Sequence, residues 1–158
     1  VRAIKLDEDG KDCVVGMICV EEGSKDTVLV ISDKGYGKRT LLDDENGEPI
    51  YRITNRGGKG VKTMNITEKT GYLVALEVVT DDDDLMIINK SGTTIRLHAD
   101  AITTTKTRIA QGTKVIELKK RNDVISHLSV VPRSEDEDVE ETPNETAGES
   151  IPETPVEQ

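Results

Sequence analysis

Two short glycine turns set the terms for any fold this chain can adopt. Asp33-Lys34-Gly35 and Lys90-Ser91-Gly92 place their glycines 57 apart in the chain, and an arginine follows each four positions later, at Arg39 and Arg96. A second pair of markers keeps its own spacing: Arg56 and Arg108 are 52 apart, as are Gly60 and Gly112. Met17, Leu76 and Leu128 mark one apolar stretch three times, at intervals of 59 and 52. The five-residue difference falls where the first copy carries residues 43–49 and the second a shorter 99–103. Self-similarity at a period of roughly 50–60 residues signals a repeat architecture, in which each unit buries its apolar face against its neighbours.

Inside each unit the local patterns read as strands. Residues 1–6 (VRAIKL) alternate apolar and polar positions, and residues 13–20 (CVVGMICV) form a nearly unbroken apolar run that predicts a strand buried on both faces. Residues 27–32 and 36–42 flank the first glycine turn as a hairpin, and 61–66 follow as a further strand. The second unit repeats the order with strands at 72–79, 85–89, 93–97 and 113–118, and a third apolar strand runs through VISHLSV around Leu128. Helical periodicity is absent. The fold class is therefore all-β, a propeller-like fragment of about two four-stranded antiparallel blades. VRAIKL matches the strand that elsewhere follows a glycine loop, so the chain is expected to open in mid-unit with further blades upstream.

Charge divides the chain into a body, residues 1–133, and a tail, residues 134–158. The whole carries 31 acids, 21 bases and a net charge of −10, and ten of the acids lie after Arg133 with no Lys or Arg among them, which leaves the body neutral. Three of the five prolines are also in the tail, so disorder is expected there. With no Trp, no Phe and three Tyr, the core must be aliphatic. Cys13 and Cys19 read as small core residues of a reduced cytoplasmic protein, and no apolar run nears the ~20 residues a membrane span requires. Residues 81–84, four consecutive aspartates, read as a solvated turn, since they lack the glycine and ligand spacing of a calcium loop. His98 and His127 lack partners at ligand spacing, so no metal site is expected, and no nucleophile arrangement is visible.

The chemistry that stands out is cationic. Arg52-Ile53-Thr54-Asn55-Arg56-Gly57-Gly58-Lys59-Gly60 runs into Val61 and Lys62, combining three glycines with four basic side chains, and Arg108-Ile109-Ala110-Gln111-Gly112 repeats a reduced form. Glycines that let the backbone turn tightly, among cations at short intervals, suit a polyanion. The bland reading is a solvated turn between strands. For Arg39 and Arg96, pairing with carboxylates of a neighbouring blade stands as the alternative.

The succession YRITNRGGKGVKTMNI, DLMIINKSGTTIRL and TRIAQGTKVIEL resembles the C-terminal domain of bacterial DNA gyrase A, and the likeness extends over nearly all of residues 1–131. The resemblance implies the last two blades, and part of the preceding one, of a six-bladed β-pinwheel that wraps duplex DNA in support of ATP-dependent negative supercoiling. Residues 54–60 stand where that family's QRRGGKG box would be and depart from it at Thr54 and Asn55, as in a degenerate later copy. Lys38, Arg39, Arg52, Arg56, Gly57, Gly58, Lys59, Gly60, Lys62, Arg96, Arg108 and Lys114 are then the DNA-binding candidates, with Lys106 as a further counterpart in the second loop. By the same resemblance the fragment is not catalytic and holds no cofactor: ATP and Mg belong to other domains or to the partner protein, gyrase B, of an A2B2 assembly. The C-terminal domain of a topoisomerase IV of the same type, or a protein-binding propeller with no nucleic-acid role, remain the alternatives. The acidic tail is either a solubilising end or a DNA mimic competing for the basic rim.

Overall fold

A computed structural model describes residues 1–8, 10–21, 23–118 and 122–133; the expected tail lies outside the described residues. The described residues form β1 (Thr27–Ser32), β2 (Tyr36–Leu41), β3 (Leu73–Val79), β4 (Asp83–Asn89), β5 (Thr94–His98), β6 (Thr104–Thr105), β7 (Thr113–Lys114) and β8 (Ile125–Pro132), with one 3-10 turn at Ala99–Ala101. One sheet runs β3-β1-β2-β6 with β7 also on β2, and the other runs β5-β4-β8.

The pairing reproduces the sequence repeat position by position. Val30 of β1 stands opposite Leu76 of β3, and Ile87 of β4 opposite Leu128 of β8. One strand has thus advanced by 57 and its partner by 52, the two intervals found in the sequence. Even the irregularity repeats, between Ile31 and Ser32 in the first sheet and between Ile88 and Asn89 in the second. Each hairpin therefore takes its long neighbouring strand from the following unit, and consecutive units are interlocked. The outer edge of β2 is covered by the next unit as well: Arg39 N–H donates to the Thr103 carbonyl at 3.1 Å, and Val115 N–H to the Gly35 carbonyl at 2.9 Å. Unlike the other pairs, β6 lies parallel to β2.

This rule explains which expected strands are absent. The segment 13–20 is irregular and exposed, with Val14, Val15, Met17 and Val20 open to solvent, and Cys13 and Cys19 are exposed thiols instead of core residues. Its counterparts β3 and β8 each complete a preceding hairpin, and no hairpin precedes it among the described residues. Residues 1–6 and 61–66 likewise form no strand, and within 113–118 only Thr113–Lys114 is a strand. The strand buried on both faces is β1, whose six residues are all buried. Leu29 and Ile31 join Val79, Leu85, Ile87, Ile125 and Leu128 in a core that unites the two sheets, while Val28 and Val30 pack with Met64 on the opposite face. Each such aliphatic side chain contributes about 1.5–3 kcal/mol by leaving water, so an aliphatic core suffices when the sheets share it.

Candidate nucleic-acid interface

The first basic loop is shaped by its glycines and held by the N-terminal segment. Gly58 N–H donates to the Asn55 carbonyl at 3.3 Å, and Gly57 and Gly60 adopt φ of +77° and +74°, a region L side chains seldom enter. Gly57 N–H donates to Ala3 O and Lys5 N–H to Gly58 O, both at 2.9 Å, so residues 3–5 run alongside the loop as a brace. The side chains stay outside. Arg52, Arg56 and Lys62 are exposed, and Lys59 is 76% exposed with only a 4.0 Å approach to Asp7.

The second loop is clamped from below. Lys38, fully buried on β2, donates from Nζ to the Thr107 carbonyl at 3.1 Å, the Arg108 carbonyl at 2.6 Å and the Thr40 hydroxyl at 3.1 Å. Burial, and then the nearby Arg108 charge, push its pKa down to about 8, so it remains cationic at neutral pH. Its charge is spent on the backbone of the loop. Arg108 in turn donates from its guanidinium to the Lys62 carbonyl, which brings the two basic loops into contact although 46 positions separate those residues in the chain.

The structure corrects the set of outward-facing cations. Lys38 and Arg39 lie on a strand covered at both edges, and both are buried: Arg39 donates to the Ile102 carbonyl at 3.0 Å and pairs with Asp81. Arg39 thus meets a carboxylate of the following unit, as the alternative had it, whereas Arg96 binds at 2.7 Å the carboxylate of Asp84, on the other strand of its own hairpin. Lys106 pairs with Glu45, while Lys114 is exposed and lies 3.9 Å from Glu117. Arg52, Arg56, Lys59, Lys62 and Lys114 remain exposed, and Arg108 is half-buried. Lys34 and Lys69, neither of them a binding candidate from the sequence, line a cleft beside Tyr36 together with Lys114, with Lys69 Nζ 5.6 Å from the tyrosine ring.

Asp84 is a second correction, because it is a fully buried anchor at the start of β4 and not part of a solvated turn. His98 Nδ1 donates to it at 2.6 Å, Arg96 from Nε at 2.7 Å and Arg133 from Nε at 3.4 Å; Arg133 also reaches Asp100 at 3.5 Å. The repeat carried the signal: the equivalent position one unit earlier is Thr27, the buried first residue of β1. The His98 hydrogen bond, helped by Arg96 and Arg133 and opposed by burial, lowers the Asp84 pKa to about 2. A depressed carboxylate pKa stabilises the fold above the unfolded-state value and loses that effect as pH falls toward the folded one. Thermal melts of the parent and Asp84→Asn chains are thus expected to differ most near neutral pH and to converge between about pH 4 and 2. A gap that persists unchanged at low pH would assign the loss to packing instead of charge.

A family model described as the DNA gyrase C-terminal domain, a β-propeller, matches residues 26–80 and 83–132. The chain belongs to this family. Each matched segment holds one gyrase-type hairpin together with the long strand that completes it, ending with β3 in one case and β8 in the other. The DNA gyrase A subunit of Staphylococcus aureus strain NCTC 8325 is 42% identical over 137 residues, 87% of this chain and 14% of that protein. Its counterpart in strain MRSA252 is 40% identical over 141 residues, 89% of this chain and 15% of that one. The chain thus spans about a seventh of these relatives. Among solved structures, a DNA gyrase A C-terminal domain aligns with a TM-score of 0.56 at 25% identity, over 66% of this chain and 33% of that one. The C-terminal domain of a DNA topoisomerase IV aligns at 0.67 and 17% identity, over 84% of this chain and 38% of that one, a likeness of fold alone. The β-pinwheel architecture of the gyrase family is therefore the frame in which the two basic loops sit.

Proposed function

We propose that this chain is a duplex-DNA-binding piece of the DNA-wrapping module of a type II topoisomerase, DNA gyrase, on its A protein. The observation that carries the reading is the Arg108 hydrogen bond to the Lys62 carbonyl, which seats two basic glycine loops from successive blades side by side. In this reading their exposed side chains line one path for the phosphates, on a backbone held by Lys38 and by residues 3–5. Contacts of this kind go to phosphates, so they supply affinity and path without reading bases, and any sequence preference enters through DNA bending. The piece supplies no chemistry of its own. ATP and Mg would be held by other parts of the assembly, with gyrase B as partner in A2B2, and the whole would act in the cytoplasm on the bacterial chromosome. Gyrase is favoured over topoisomerase IV by the 42% identity to a protein named for gyrase. A protein-binding propeller is disfavoured by the contact between the basic loops.

The test is a salt series of duplex affinity, read by anisotropy of a labelled duplex. The logarithm of affinity is expected to fall by about 0.9 per decade of salt for each phosphate neutralised, giving a slope of roughly −4 to −5 for five or so contacts. A slope near zero, or no binding at low salt, overturns the reading. Removing residues 134–158 is expected to raise low-salt affinity if the tail competes for the rim, and to leave it unchanged if the tail only solubilises.

A further inference from the structure

We propose, on the reading of the two basic loops as a phosphate path, that Glu45 holds the place of a DNA phosphate at Lys106, a carboxylate built into the chain that a duplex must displace before this cation joins the path. The two residues pair across 61 positions of the chain. Glu45 belongs to the turn 43–49, the segment that makes the first copy longer than the second, where 99–103 stands at the same place. That turn has a built shape. Asp44 Oδ1 accepts from the Asn46 and Glu48 amides at 2.8 and 2.9 Å, Asp44 N–H donates to the Glu48 carbonyl at 2.9 Å, and Asp43 bridges to Pro49 as the chain turns back. Gly47 adopts a φ of +77° within it. Glu45 is thereby presented at the tip, with its carboxylate on Lys106 Nζ.

The cation is fixed at its base as well. Lys106 directly follows β6, and the backbone on either side of it is held: the Thr105 hydroxyl donates to the Arg39 carbonyl at 3.1 Å, and Lys38 Nζ binds the Thr107 and Arg108 carbonyls. Lys106 is therefore part of the same clamped loop whose Arg108 reaches Lys62. Moved back by 52, its position is Thr54, so the pair joins a cation that the first loop lacks at that position to a turn that the second unit lacks. Both charged ends stay within reach of a ligand. The Lys106 and Glu45 side chains are 69% and 75% exposed, and Leu41, Asp44 and Asn46 complete with them an open recess of about 250 Å3. The mutual hydrogen bond, and then the mutual charge, lower the Glu45 pKa and raise that of Lys106, so both are ionised at neutral pH. An exposed ion pair is weakly held in water, and a phosphate offers the same anionic oxygens as a carboxylate, so the two compete for one ammonium. The acid thus subtracts one contact from the path.

Anisotropy of a labelled duplex titrated with the 158-residue chain over a salt series tests this. Glu45→Gln removes the competing charge and is expected to raise affinity about five- to tenfold at about 0.1 M salt and to steepen the salt slope by nearly one, as one added phosphate contact does. Glu48→Gln changes an exposed acid of the same turn by the same charge without releasing Lys106. It is expected to raise affinity by no more than about twofold with the slope unchanged, since a charge off the path is largely screened at that salt. In a Lys106→Ala background the gain from Glu45→Gln is expected to shrink to that of Glu48→Gln. Circular dichroism of each variant establishes that it is folded. Duplex binding by the parent together with a Glu45→Gln gain no larger than that of Glu48→Gln overturns the proposal and leaves the phosphate path standing, as does a gain that survives Lys106→Ala. No duplex binding by any variant at low salt overturns the path itself, and the proposal with it.

Discussion

Replacing Arg56, Lys59 and Lys62 together by alanine is expected to weaken duplex binding by roughly 100- to 1000-fold at about 0.1 M salt and to flatten the salt slope by nearly three. The magnitude follows from counting. Each phosphate contact contributes about 0.9 to the slope, so three contacts hold between two and three decades of affinity across the decade from about 1 M to 0.1 M. The three side chains are suited to carry it because they are exposed and, among the described residues, only Lys59 approaches a carboxylate, at 4.0 Å. Removing them costs the fold little, since surface substitutions away from special features usually change stability by no more than about 0.5 kcal/mol. A control with the exposed Lys11, Lys25 and Lys90 replaced removes the same net charge. If that control loses as much affinity, binding depends on total charge and the loops have no special part. Unchanged relative affinities across different duplex sequences would confirm contact to the backbone and not to base edges.

The repeat intervals and the hairpins were legible because hairpins are local: β1, β2, β4 and β5 are bounded by turns whose glycines announce themselves. Partner choice was not. A strand reads the same whether its neighbour lies in its own unit or in the one before, so CVVGMICV carries the composition of a buried strand while lying exposed. The same limit governs the site. The charge of Lys38 is visible in the sequence, yet its direction depends on strand pairing: β2 is covered by residues from the next unit, so Lys38 and Arg39 point into hydrogen bonds with that unit's backbone. Arg56 and Lys59, flanking glycines in a loop that extends past the sheet, had no such cover, and their exposure followed from local sequence. Asp84 lay between these cases. Its neighbours Asp81 and Asp82 are exposed as expected, and only alignment with Thr27 shows that the fourth aspartate has entered the strand.

Gly35→Ala is expected to destabilise the chain by roughly 3–5 kcal/mol and Gly92→Ala by only about 1–2 kcal/mol, although the two glycines occupy the same turn of successive units. Both have nearly the same positive φ, +84° and +85°, so the cost of placing an L residue in the left-handed region, about 1–2 kcal/mol, is common to them. The difference is what surrounds them. At Gly35 the new methyl would lie 2.6 Å from the Ile116 carbonyl oxygen, a backbone atom whose own segment is tied to the Gly35 carbonyl through the Val115 and Ile116 amides. Relief requires that segment to lift away, which breaks those bonds and draws Ile116 out of the shared core. For a body of this size the larger loss lowers the melting temperature by roughly 10–20 °C. Hydrogen exchange locates the damage: protection at Val115 and Ile116 is expected to fall first in Gly35→Ala and to be retained in Gly92→Ala. Equal losses in the two variants would mean that the second unit does not lie across the first hairpin, and the interlocking of blades would have to be abandoned together with the surface on which the basic loops meet.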